Sequence, residues 1–289
     1  MSLSQTYTPD RLVVSFELFP PKTEKGMAAL FKNLDELVTC NPAFITCTYG
    51  AGGSTQKKTL EVLDGVLARY EGIPVASHLT CVGATVDELR AYIDEACRRG
   101  IQYIVALRGD PPQGEDHFVA PEGGLAYGNE MVELIHREYP DMGVLVGGYP
   151  EMHPEAVDAQ TDLDNLKRKV DAGSDVIITQ LFYDNEVYYR FRDKCDGAGI
   201  KIPVVPGILP VTNLAQVKRI TTMCGASLPE ELTRRLEAHG DDDEGQFSVG
   251  VYHAARQTED LVEHGVPGVH FYVLNKSRAT ALICRALVL

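Results

Sequence analysis

Short runs of β-branched and apolar residues alternate along the chain with longer stretches in which apolar positions recur every three or four residues. The runs fall at 12–20, 43–50, 74–81, 103–110, 143–150, 176–183, 203–210 and 269–275. Between them, Ala29, Leu30, Leu34, Leu37 and Val38, or Leu163, Leu166 and Val170, carry helical spacing. Near-continuous apolar strands separated by helices read as a parallel sheet buried under those helices. The run starts lie 27 to 40 residues apart, about one βα unit, until a last gap of 66. Eight such units in 289 residues match the count and length of a (β/α)8 TIM barrel, an α/β fold. A doubly wound sheet competes, but no Gly-x-Gly-x-x-Gly fingerprint follows any run.

The oversized gap, 213–268, reads as a helix at 213–224, a polar segment ending at Gly240–Gly245, and a helix at 246–264. The chain is therefore expected to be a single catalytic barrel domain over 1–289, with an extra helix inserted between strands 7 and 8. Residues 1–10 are expected to be a flexible N-terminal extension. The acidic run Asp241–Glu244 reads as a solvated loop, because three adjacent aspartates cannot all point one way, and no metal is expected.

A net charge of −14 excludes a polyanion such as DNA or RNA, which needs a basic footprint. No apolar run approaches the ~20 residues that span a bilayer, and the start lacks the basic and apolar regions of a secretory signal, so no membrane partner is expected. The seven cysteines are odd in number and contain no C-x-x-C pair, which suggests neither a disulfide framework nor zinc. Cys40, Cys97, Cys195 and Cys284 fall in or near helical stretches and read as small buried hydrophobes. A reducing, cytoplasmic setting follows.

In such a barrel the active site lies at the C-terminal strand ends. In order, these ends offer Glu17; Thr48 and Tyr49; His78 and Thr80; Arg108 and Asp110; Tyr149, Glu151 and His153; Gln180 and Tyr183; the Pro206-Gly207 bend; and Asn275 with Lys276. A ring of polar residues just beyond apolar strands is costly to bury without purpose. Glu17 sits in Phe16-Glu17-Leu18-Phe19-Pro20-Pro21. Apolar surroundings raise a carboxyl pKa and suit a general acid, whereas a Lys or Arg across the barrel would simply neutralise it. Asp110 is ambiguous in the same way, with Arg108 beside it and Gly109 allowing close approach of a flat ligand. Asp162, Asn165, Arg168 and Lys169 share one helical face, fit either to hold a ribose and diphosphate or to be a solvated surface. His153, in a Pro-rigid turn, suits hydrogen bonding or stacking rather than a metal, and His270 reads as a core or interface histidine.

At these residues the chain resembles the methylenetetrahydrofolate reductase family, flavin enzymes that make 5-methyltetrahydrofolate. The matching segments are Phe16–Pro21, Thr48–Ala51, His78–Cys81, Ala106–Asp110, Gly148–Glu155, Asp162–Gly173, Thr179–Phe182, Pro206–Val211 and His270–Asn275. They run in the family's order from about residue 12 to the C-terminus. The resemblance implies FAD at the barrel mouth and a ping-pong route: NADH or NADPH reduces the flavin, and methylenetetrahydrofolate then takes the hydride, supplying methyl groups for methionine synthesis. It implies that Glu17 is the acid at folate N10, kept protonated by its environment, and that Asp110 sits near flavin and pterin. The implied FAD contacts are Tyr49, Ala51, His78, Arg108, Gly109, Asp110, Gly128, Tyr149, His153, Asp162, Asn165, Arg168 and Lys169. Thr48 would meet the nicotinamide donor, and Gln180, Gln216 and Lys276 the folate.

Two positions depart from the family pattern. Lys276 replaces the arginine of a common Leu-Asn-Arg motif, losing a bidentate fork that Arg278 is placed to replace. Ile220 stands where some members carry an aromatic. The chain ends after the eighth helix, like the short bacterial type without a regulatory domain, so no adenosylmethionine inhibition is expected, and family members assemble as homo-oligomers. Two other readings fit the same residues: a barrel flavoprotein reducing a different C1 carrier or imine, and a non-catalytic flavin- or folate-binding subunit of a redox complex.

Overall fold

Strands β1 (Val13–Leu18), β2 (Phe44–Cys47), β3 (Val75–Thr80), β4 (Tyr103–Leu107), β5 (Gly143–Gly148) and β6 (Val176–Thr179) pair in parallel, each with the next. The computed structural model describes residues 3–8, 11–49, 56–110 and 118–287. The seventh stave is broken at Pro206 into β7 (Val204–Val205), which pairs with β6, and β8 (Gly207–Ile208), which pairs with β9 (Gly268–Tyr272). Because β9 also pairs with β1, the sheet closes into an α/β barrel of the TIM type. Each of the eight apolar runs contains a stave.

Gly207 is required at the break. A Cβ there would run into the Thr179 carbonyl oxygen and the Tyr272 ring, while its N–H donates to Thr179 Oγ1 at 2.9 Å. Above the β1–β9 pairing, the Asn275 carboxamide bonds the Phe19 backbone in both directions, accepting from its N–H at 3.0 Å and donating to its carbonyl at 2.7 Å.

Helices α1 (Glu24–Leu37), α2 (Gln56–Arg69), α3 (Val86–Arg98), α4 (Gly128–Glu138), α5 (Ala159–Asp171) and α6 (Asn185–Gly197) follow the first six strands in turn. Their starts are sequence-encoded: Thr23, Asp158 and Asp184 cap α1, α5 and α6, and Thr85 forms a reciprocal capping box with Glu88 on α3. The barrel interior is filled by a layer including Val13, Phe44, Ala76, Val105, Leu145, Val176 and Val205. A larger apolar shell, with Phe16, Leu34, Leu63, Ile104 and Phe271, packs between sheet and helices.

The structure departs from the expectations, or adds to them, at four places. The long insertion holds α7 (Leu214–Cys224), α8 (Glu230–Glu237) and α9 (Asp243–Glu263) before α10 (Arg278–Leu287) closes the circuit, so two helices are added rather than one. In α8, Glu-Glu-Leu-Thr-Arg-Arg-Leu-Glu reads as polar, yet Leu232 and Leu236, four apart, bury against Leu181, Leu209 and Val217. The residues expected as a flexible extension include a 3-10 turn, Leu3–Thr6, and Leu3 is buried beneath the barrel floor. Cys97 is exposed, whereas Cys40, Cys195 and Cys284 are buried. The acidic run has local work: Asp242 caps α9 by accepting from Gly245, and Glu244 forks onto Arg278 with both contacts at 2.6 Å. Among the described residues no helix is long and apolar enough to cross a membrane.

Candidate active site

Strand alternation decides what surrounds Glu17. Phe16 and Leu18 point outward into the shell between sheet and helices, while Ser15 and Glu17 point into the barrel. The sequence neighbours that make the segment apolar are therefore not the spatial neighbours of the carboxyl. Instead, His78 Nε2 from β3 lies 3.2 Å from Glu17 Oε2, and His270 Nε2 from β9 lies 3.8 Å from the same oxygen. Burial pushes the Glu17 carboxyl up, but the charge of His78 and the polar edges of both imidazoles turned toward it overcome this and hold the pKa down at about 2. The expectation of a carboxyl kept protonated by apolar surroundings is thus corrected: in this structure Glu17 is a carboxylate, and its partner is neither Lys nor Arg but histidine.

Glu17 and His78 line a cavity of about 460 Å³ at the C-terminal mouth, with Thr48, Tyr49, Tyr149 and Gln180. These six expected residues from five strand ends do converge. Tyr49 is buried edge-on to Tyr92 and bonded by Gln56. Tyr149 meets His153 edge-to-face at 4.5 Å; burial and the charge of Asp110 push its phenol up to about 12, with the Gln180 side chain bonded to it. Gln180 is fixed by its own backbone, N–H to Gly148 O at 2.7 Å and Oε1 accepting from Leu181 N at 2.9 Å. Ile220 and Cys224 close one side of the cavity with apolar surface.

A second group forms a cationic rim. Arg108 forks onto Glu155 with both contacts at 2.8 Å. His153 receives the Glu155 N–H on Nδ1 at 3.1 Å, so its neutral ring carries the proton on Nε2; burial and the charge of Arg108 lower its pKa. The His153 N–H is held by Asp162 at 3.0 Å. Lys169 donates to Gly147 O at 2.6 Å, and burial lowers its pKa to about 8 against the pull of Asp162. Asn165 and Arg168 lie exposed on α5, bonded to each other at 3.3 Å.

Gly109 is left-handed at φ 90°, and a Cβ there would sit 2.8 Å from Val82 Cγ2, so the β4 loop can take this path only with glycine. Asp110 follows it, exposed. Gly128 starts α4 against the Arg108 backbone. Ala51 lies outside the described residues.

The remaining folate expectations fall in an adjoining cavity of about 770 Å³, lined by Gln216 and Lys276 and separated from the first by Leu209, Tyr272 and Leu274. Arg278 reaches this second cavity, but its fork is taken by Glu244 and its plane by the Phe247 ring at 4.1 Å. In the ligand-free structure Arg278 is thus paired with an exposed carboxylate rather than left open to the cavity. Tyr272 was missed by sequence reasoning. It stands on the wall between the cavities with its hydroxyl donating to Thr179 O at 2.7 Å, and its position two residues beyond His270 on one strand face was the available signal.

Solved structures share the architecture. A Clostridium thermocellum protein described as binding two copies of 5-methyl-5,6,7,8-tetrahydrofolic acid superposes with a TM-score of 0.66 at 16% identity, covering 98% of this chain and 97% of that one. A 2,3-dimethylmalate lyase does so at 0.56 and 10%, covering 99% and 83%. At these identities they establish the barrel alone. Sequence relatives are much nearer. The Escherichia coli protein named 5,10-methylenetetrahydrofolate reductase is 42% identical over 274 residues, covering 95% of this chain and 90% of that one. The Arabidopsis thaliana methylenetetrahydrofolate reductase (NADH) 1 is 40% identical over 275 residues, covering 92% of this chain. The chain spans about half the length of the plant relatives, 46% in that case. Residues 2–288 match the family profile described as methylenetetrahydrofolate reductase. With the profile spanning both cavities and the rim, the chain belongs to the methylenetetrahydrofolate reductase family.

Proposed function

We propose that the chain reduces 5,10-methylenetetrahydrofolate to 5-methyltetrahydrofolate by a ping-pong route, with FAD as cofactor and NADH or NADPH as donor, and so supplies methyl groups for methionine synthesis. The observation that carries the reading is a buried carboxylate at the mouth of a cavity, one oxygen engaged by imidazole, in a chain of this family.

The donor set fits a flavin dinucleotide. In a chain of net charge −14, Arg108 and Lys169 come together at Gly128, with Arg168 next to Lys169 on α5, cations of the kind a diphosphate requires. Thr80 Oγ1, buried beside Gly109, has no hydrogen-bond partner among the described residues. Tyr49, His78, Arg108, Gly109, Asp110, Gly128, Tyr149, His153, Asp162, Asn165, Arg168 and Lys169 would hold the cofactor, with Ala51 beside them in sequence. When bound, FAD supplies a ring that accepts hydride from one substrate and donates it to the next.

The protein's own contribution is proton chemistry and placement. Glu17 takes up a proton from solvent and passes it to folate N10, opening the five-membered ring to an iminium. The imidazoles of His78 and His270 stabilise the carboxylate left behind, which makes the protonated carboxyl a strong acid and the folate half-reaction faster as pH falls. Gln180, Gln216 and Lys276 orient the folate, Thr48 the nicotinamide and Asp110 the pterin. We place the protein in the cytoplasm as a homo-oligomer; seven unpaired cysteines support the reducing compartment.

The test is an anaerobic visible spectrum of the FAD-reconstituted protein, with NADH and then methylenetetrahydrofolate added. The flavin band should bleach and return. In Glu17→Gln bleaching should persist, while the return slows by about a hundredfold or more. An unslowed return in that variant overturns the role of Glu17; failure of the wild-type band to return overturns the substrate.

A further inference from the structure

Behind Glu17 lies a polar group that the proposed reaction does not use. His270 is fully buried and lines neither cavity. Its Nδ1 lies 2.8 Å from Ser15 Oγ, and its Nε2 has no hydrogen-bond partner among the described residues, with Glu17 Oε2 3.8 Å away.

The direction of the Ser15–His270 bond follows from burial. Ser15 is fully buried, and among the described residues its hydroxyl has the single partner Nδ1. A buried hydroxyl proton without an acceptor is costly, so Oγ–H donates and Nδ1 accepts. A neutral ring that accepts on Nδ1 carries its proton on Nε2, facing Glu17. The opposite tautomer would turn a lone pair toward a carboxylate across a dry space. Phe44, stacked at a 20° interplanar angle, and Tyr272, edge-on at 5.3 Å, hold the ring plane.

The groups around the carboxylate leave this arrangement unopposed. Glu17 is faced by His78 from β3 and by His270 and Tyr272 from β9, with Thr46 in register with it on β2 and the Cys47 thiol, on the other face of that strand, near enough to feel its charge. Burial and the charge of Glu17 push the Cys47 thiol and the Tyr272 phenol well up, so both stay neutral. Burial lowers His270, so it too is neutral, a donor without charge. Among the described residues no Lys or Arg pairs with Glu17. Both imidazoles meet Oε2, and nothing described bonds Oε1.

We propose that Ser15 and His270 are positioning residues: Ser15 locks His270 as the Nε2–H tautomer, and that N–H, turned toward Oε2 of Glu17 beside His78, favours negative charge on Oε2, so that Oε1 is the oxygen that carries the reacting proton. The word reacting rests on the function proposed above; the lock itself does not.

The test uses the full chain and two readouts that need no substrate. The first is the His270 tautomer by nitrogen–proton NMR. The second is the titration midpoint of the Glu17 carboxyl, followed by infrared difference spectroscopy and assigned with Glu17→Gln. The wild type should show Nε2–H. His270→Phe should move the Glu17 midpoint up by about one pH unit, a tenfold change in proton affinity. Ser15→Ala, which changes little volume, should move it the same way by less, and Ser15→Thr should restore it. The pH at which the folate half-reaction slows should rise in step, with kcat changed and KM retained. An Nδ1–H tautomer in the wild type overturns the proposal, as does an unmoved midpoint in folded Ser15→Ala and His270→Phe. Because tautomer and midpoint are read without folate, a wild type that fails to turn over folate sinks the proposed reaction alone. Intact turnover with an unmoved midpoint sinks the lock alone.

Discussion

The inside of the mouth and its rim treat charged groups in opposite ways. Inside, Glu17 is shielded by the barrel and engaged by two imidazoles that are themselves buried. At the rim, Arg108 and Glu155 form a fork whose side chains keep 26% and 44% of their exposure. Water screens the rim pair, so either partner can be given up to an incoming anion at small cost. The interior carboxylate has no such reserve: its partners are its solvent. The difference separates a surface built to exchange partners from a site built to keep them.

The sharpest way to break this contrast is His78→Leu. It removes the nearer partner of a buried carboxylate and should cost about 3–5 kcal/mol of unfolding free energy, read by urea denaturation. A loss below about 1 kcal/mol, the range of exposed pairs, would place Glu17 in the same class as the rim. Next comes acid. A carboxyl held at about 2 contributes stability that is complete above its unfolded value near 4.5 and is lost as pH falls toward 2. Wild-type stability should therefore fall more steeply than that of Glu17→Gln between about pH 5 and 2, and parallel curves would contradict the ion pair.

Lys169 gives a smaller effect of opposite sign. Its pKa is lowered to about 8, so the folded state resists its charge; the penalty is full below pH 8 and is relieved as pH rises through the usual lysine range. Lys169→Met should raise the melting temperature of the ligand-free protein by about 2–4 °C near pH 7, while, on the proposed function, weakening FAD binding about tenfold through loss of a charge-assisted contact. A lower melting temperature would show that its bond to Gly147 outweighs burial. The smallest change is expected for Arg108→Ala, within about 1 kcal/mol of wild type.

How far the sequence could be read follows from which signals are local. Strand positions are local, because a run of β-branched residues bounded by Gly and Pro declares itself, and so the staves were legible down to the bend at Pro206-Gly207. Helix α8 was not, since two leucines in an acidic and basic octet give too little periodicity to see before their tertiary partners are known. The ring of polar strand ends was legible for the same reason as the strands. What those residues do to one another was not: Phe16 and Leu18 flank Glu17 in the chain but turn away from it, while His78 and His270 stand 61 and 253 residues distant and touch it. Protonation state belongs to spatial neighbours, and a sequence window supplies only the covalent ones. Arg278 teaches the same lesson, an unpaired cation on paper and the partner of Glu244 in space.

The carboxamide of Asn275 has the geometry of a peptide group, one carbonyl and one N–H, and it is used as one. The strand it follows has already turned aside, with Leu274 and Asn275 both left-handed at φ 47° and 56°. Its side chain nevertheless continues the ladder against Phe19 for one more rung. The first and last loops of the barrel, which carry Phe19 on one cavity and Lys276 on the other, are thereby riveted into a single lip. The two chambers share one edge, and a displacement of one wall would carry the other with it.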